Sequence, residues 1–145
     1  MGILFGQKEV TGMDAVEYLE NYKKINAVIR NRLEQHRRWV QIAEGLGGAS
    51  TGERVQASRK LDQIPNAIVN YIYIEQEIAA LKREQEQILK TLERLPFTEY
   101  ETLYMLYIGD CTLKEVAWYF KKSYETAKRY KKSGLERLQG IIDQG

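Results

Sequence analysis

Cysteine and histidine are almost missing from this chain: Cys111 and His36 stand alone among 145 residues. Their scarcity excludes a disulfide within one chain and any zinc site built from several Cys and His ligands of one chain. A reducing cytoplasm is the expected setting. Long apolar runs are also missing. None approaches the roughly 18 residues that cross a bilayer, so no membrane partner is expected. The opening "MGILFGQKEVTG" lacks the basic start and long apolar centre of a signal peptide. Residues 1–12 are therefore expected to be a flexible tail, with Met1 and Met13 both open as start sites. A strong charge of one sign is absent too, the net charge being +2. A case for nucleic acid must rest on where charge sits rather than on its total.

Hydrophobic residues make up 43% and charged residues 29% of the chain, enough to bury a core. The length suits one ordinary domain or a small domain with a helical extension, and the second is expected. Between Met13 and Glu44 there is no Pro or Gly, and Val16, Leu19, Tyr22, Ile25, Ile29, Leu33, His36 and Val40 recur at spacings of three and four. That predicts one long amphipathic helix. "GLGG" at Gly45 to Gly48 stops it. The segment 45–65, rich in Gly, Ser and Thr, reads as a loop. From Asn66 to Leu95 a heptad seam returns at Ile68, Tyr71, Ile74, Ile78, Leu81, Gln85, Ile88, Leu92 and Leu95, predicting a second long helix. Two such helices cannot bury their stripes alone, so residues 13–95 should form an antiparallel hairpin or a coiled coil between chains, for oligomerisation or partner binding.

Pro96 breaks the second helix. Thr98 with Glu101, and Thr112 with Glu115, have capping-box spacing, and Ser123 can cap a last helix. Three short helices follow, near Glu99–Ile108, Leu113–Phe120 and from Ser123 onward. The chain is therefore expected to be all-α, with residues 96–142 as a separate module. Helix, short turn and helix from Thr112 to Leu138 have the organisation of a helix-turn-helix. Ala117 is small where the two helices would cross, and Val116, Phe120, Ala127 and Tyr130 would close a little core. Tyr104, Tyr107, Trp118 and Tyr119 are expected as packing residues, Cys111 as a small buried residue, and His36 as a bystander on its stripe. Seven basic residues against two acidic ones lie between Lys121 and Arg137.

The segment "LPFTEYETLYMLYIGDCTLKEVAWYFKKSYETAKRYKKSGLERLQ" resembles region 4 of the sigma-70 family. With the long helix and the "GERVQAS" segment upstream, the chain resembles phage-encoded RinA and ArpU type transcriptional regulators from Met13 to Gln139. The resemblance implies a sequence-specific regulator that binds double-stranded DNA, a phage late-gene activator working with host RNA polymerase. Lys121 departs from the pattern by occupying the place usually held by the turn glycine, which predicts a turn wider than three residues.

Carried over residue by residue, the outward positions of the last helix are Tyr124, Glu125, Lys128 and Arg129. Lys128 or Arg129 can donate to guanine, Glu125 can accept from cytosine and Tyr124 can pack on a thymine methyl. Lys121, Lys122, Lys131 and Lys132 and the hydroxyls of Thr112, Ser123 and Thr126 suit phosphates, which set register. No metal site, cofactor or nucleophile with a base partner stands out, and "GGASTGER" lacks the Lys and Ser or Thr of a P-loop, so no enzyme is expected. A small terminase subunit for DNA packaging and a sigma-like polymerase adaptor that does not touch DNA remain as alternatives.

Overall fold

The computed structural model describes residues 13–45 and 54–145, with side chains described from 63 onward in the second span. Among the described residues all regular structure is helical: α1 Ala15–Ala43, α2 Arg54–Leu92, α3 Phe97–Leu103 continued by one π turn at Tyr104–Ile108, α4 Leu113–Phe120 and α5 Tyr124–Gln144. The expected tail and residues 46–53 of the expected loop lie outside the described residues. The rest of that loop is helix. Its Gly, Ser and Thr residues cluster before Arg54, whereas Arg, Gln, Ala, Lys and Leu from 54 to 61 are good helix formers. Pro65 lies inside α2 and forfeits one backbone bond without ending the helix.

The chain divides into two compact units, α1 up to Asn26 with Lys82–Gly145, and Ala27–Leu81. In the second unit α1 and α2 pack through Ile29, Ile74, Ile78 and Leu81, all buried. Arg32 Nε lies 3.3 Å from Glu77 Oε1. His36 is no bystander: its Nε2 is 2.7 Å from Glu75 Oε2, and its ring meets Tyr71 edge-on at 5.5 Å. The stripes fray toward residues 33 and 68, where Leu33 is 49% and Ile68 37% exposed.

In the first unit the remaining parts of α1 and α2 pack together through Leu19, Ile25, Ile88 and Leu92. Gln85, a buried polar member of the seam, donates to Tyr22 O at 3.1 Å and Asn26 Oδ1 at 2.7 Å. Tyr18 Oη donates to Thr91 Oγ1 at 2.9 Å. The start of α1 is tied to α5, because Gln139 accepts from Ala15 N at 2.7 Å and donates to Met13 O at 3.2 Å. Its packing and these bonds place the first turns of α1 in the same unit as α5.

Helix α3 starts two residues earlier than the expected capping box implies. Pro96 is the N-cap and no side chain caps it. Thr98 is already inside the helix, where its carbonyl accepts from Thr102 Oγ1 at 2.8 Å, so its hydroxyl stands at the wrong position to cap. Helices α3 and α5 approach closely at Gly134, where an added Cβ would lie 3.2 Å from Leu103 Cγ. Beside this crossing, the buried Glu99 carboxylate accepts from Ser133 Oγ and lies 2.7 Å from Arg137 Nε, an ion pair rather than an aligned hydrogen bond.

Candidate nucleic-acid interface

Helix α4 begins with a complete capping box. Glu115 N donates to Thr112 Oγ1 at 3.2 Å, and Thr112 N donates back to Glu115 Oε1 at 2.8 Å. Val116 and Ala117 are buried with Ala127 of α5, and Met105, Leu106, Leu113 and Phe120 pack around them. Phe120 meets the Tyr130 ring edge-on at 5.5 Å. A small residue at position 117 therefore lies at the contact between the helices, as expected.

The connection is not widened. Lys121 is left-handed at φ 56° and ψ 46°, a strain of about 1 kcal/mol for a side chain with a Cβ. Two backbone bonds offset it: Lys121 N donates to Trp118 O at 3.1 Å and Lys122 N donates to Ala117 O at 2.9 Å. Together they close α4 as a Schellman motif. Ser123 then caps α5 directly, accepting from Thr126 N at 3.1 Å, so only Lys121, Lys122 and Ser123 separate the helices.

The phase of α5 follows from its buried residues. Ala127, Gly134, Leu138 and Ile142 face the core, so positions 125, 128, 129 and 132 turn away from it. Tyr124, Glu125, Lys128, Arg129 and Lys132 are all exposed. Lys128 Nζ lies 3.6 Å from Glu125 Oε2 and 5.5 Å from the centre of the Tyr124 ring. These three make one compact group. An exposed pair of this kind contributes at most about 1 kcal/mol and opens easily to another acceptor. Arg129 Nη2 donates to Thr126 Oγ1 at 2.9 Å, and Thr126 Oγ1 is 2.9 Å from Ser123 Oγ.

The expected phosphate group divides into two kinds. Lys121, Lys122 and Lys132 are exposed, and none has a carboxylate within ion-pair distance among the described residues. Lys131 also lacks such a partner but is half-buried on the flank of α5. Thr126 is half-buried, and its hydroxyl oxygen accepts from Arg129 and shares a hydrogen bond with Ser123. Thr112 and Ser123 each accept one cap bond, and the Ser123 and Thr126 hydroxyls share one further hydrogen bond, so only one of those two protons is left for a phosphate. Arg137, part of the basic run, is drawn to Glu99.

Trp118 and Tyr119 do not act as core residues. Trp118 is 83% exposed and Tyr119 47% exposed, with Tyr119 Oη donating to Glu101 Oε2 at 3.0 Å. That bond and the neighbouring Glu101 charge hold the Tyr119 pKa above its ordinary value. The signal was present in the sequence, because Val116, Ala117 and Phe120 on the inner face of one helix force position 118 to the opposite side. Tyr104 is at the edge of exposure and Tyr107 is half-buried, while Cys111 is half-buried beside Gly109 rather than enclosed. Among the described residues no cluster of His, Cys, Asp and Glu could hold a metal ion, and no helix is long and apolar enough to cross a membrane. Comparison with protein-family models, with curated proteins and with solved structures finds no match to this chain.

Proposed function

We propose that this protein is a sequence-specific regulator of transcription that binds double-stranded DNA, with α4 and α5 acting as a helix-turn-helix and α5 entering the major groove. One observation carries the reading. The first turns of α5 expose Tyr124, Glu125, Lys128, Arg129 and Lys132 on one side, while Ala127, Tyr130, Gly134 and Leu138 hold the other side to the rest of the unit. Donors for guanine, an acceptor for cytosine amino groups and an apolar ring for thymine are thus grouped where a recognition helix presents them. Lys121 and Lys122 in the turn, unpaired with carboxylates among the described residues, suit the flanking phosphates. The resemblance to sigma-70 region 4 and to RinA and ArpU type regulators extends the proposal to phage late-gene activation with host RNA polymerase.

The test is selection of bound fragments from the source genome by the purified chain at about 150 mM salt, where sequence-independent binding is weakened. Recovery of a few related sites upstream of a gene block is expected. Uniform recovery, or none, would sink the proposal. Trp118 favours a second reading, a protein-only adaptor that grips polymerase, because a tryptophan this exposed resembles an unpaired interface anchor. Polymerase capture that Trp118→Ala abolishes, with no duplex bound at any salt concentration, would favour the adaptor.

A further inference from the structure

Helix α2 carries two stripes, and α1 covers only one of them. The covered stripe in the Ala27–Leu81 unit runs through Ala67, Tyr71, Ile74, Ile78 and Leu81. On the opposite side Val69, Ile72, Gln76 and Ala79 repeat the alternating spacing of three and four, flanked by Tyr73. Val69 is 66% exposed, Tyr73 55% and Ile72 43%. A helix with one apolar face ordinarily turns the other to water with charge, and α1 does so here with Arg30, Glu34, Arg37 and Arg38, all exposed. Between Gln63 and Ala80, however, α2 has only two charged residues, Glu75 and Glu77, and these engage His36 and Arg32 of α1. The outer face is therefore uncharged for roughly 25 Å of helix.

We propose that this outer stripe of α2 is a twofold interface and that its partner is a second copy of the same chain. The charge pattern selects that occupant. In a twofold contact the same patch meets itself, so any net charge on it would repel its own copy, whereas a neutral stripe carries no such penalty. Gln76, central in the stripe, has an amide that both donates and accepts, so it can meet polar or amide groups of an identical face without leaving a buried group unpaired. A polar residue at such a seam position also fixes register at some expense of stability. Ile68, Val69, Ile72 and Tyr73 leave on the order of 400 Å² uncovered, about half of one partner's share in a standard dimer, so polar surface beside them must supply the rest. Asn66 and Asn70 lie at one end of the stripe, where Val69 also borders a groove lined by Trp39 and Ile42 of α1. The interface stands without the DNA reading and holds whether or not the chain binds a duplex.

Sedimentation of the full chain, alone and as Val69→Glu and Tyr73→Glu variants, tests the interface. Both side chains reach water in the single chain, so the substitutions should leave the fold intact, and far-UV circular dichroism checks that helicity is kept. The unaltered chain is expected to sediment as a dimer that dissociates on dilution, and each variant to weaken dimerisation by at least about tenfold, because a carboxylate would be buried against its own copy. A monomer at about 100 μM would overturn the proposal. So would a dimer that both helical variants leave unchanged, or a closed ring of more than two chains.

Discussion

The two glycines of α5 should respond in opposite ways to the same substitution. At Gly140 an added Cβ meets nothing within 4 Å, whereas at Gly134 it lies 3.2 Å from both Cδ1 and Cγ of Leu103 and 3.4 Å from Cβ of Glu99. Leu103 is fully buried, so it has little room to move aside. Replacing a helical glycine with alanine gains about 0.5 to 1 kcal/mol, because the unfolded chain has less backbone freedom to lose. Gly140→Ala should show that gain in full. Gly134→Ala gains the same amount and then loses about as much by crowding, leaving its stability near that of the unaltered chain. Gly134→Val adds two more carbons at the crossing and should cost about 1 to 3 kcal/mol. Urea denaturation followed by far-UV circular dichroism measures all three, and the two alanine variants should also differ by about 3 °C in Tm. If Gly134→Ala is stabilised as much as Gly140→Ala, or if valine is tolerated at 134, then α3 and α5 do not cross as described.

Arg129→Ala should cost about 1 to 3 kcal/mol on the preferred site and relax its sequence preference, whereas equal loss on random duplex would refute base reading. Lys132→Ala should lower the slope of log affinity against log salt by about one, and the half-buried Lys131→Ala by less; equal slopes would mean that the two lysines meet phosphate alike. Burial raises the pKa of Tyr18 above its ordinary value near 10, and burial followed by the Glu20 and Asp14 charges raises that of Tyr107. A raised folded pKa means the folded state holds the phenolic proton more tightly, so this stability is fully present below about pH 10 and is lost as pH rises through the folded values. Tm should fall above that pH and fall less steeply in Tyr107→Phe; the same fall in both chains would count against this account.

Residues 54–65 lack an apolar repeat and are helix all the same. Elsewhere, over residues 13–44 and from 66 onward, helix existence was legible in the sequence because an apolar repeat of 3.6 residues is a local property that needs no partner to be seen. So were the Thr112 capping box and the Ser123 cap, each written within four residues of chain. The outward positions of α5 followed from the same periodicity, since Ala127 and Tyr130 had to face inward. Trp118 could have been read in the same way, but its size argued for burial and outweighed its phase on the helix.

Other features were decided by contacts between residues distant in sequence. No local rule distinguishes Gly134 from Gly140; the side chain of Leu103, brought against one and not the other, separates them. The three-residue turn at Lys121 depends on carbonyls of the preceding helix that accept its amides, so a left-handed lysine is tolerated where a residue scale argued against it. Arg137 counts toward a basic run in sequence, yet buried Glu99 claims it. The sequence of α2 determined both of its stripes through spacing alone, but only the tertiary structure decided which one α1 covers and which remains open, because a second helix can lie against one side of α2 and not both.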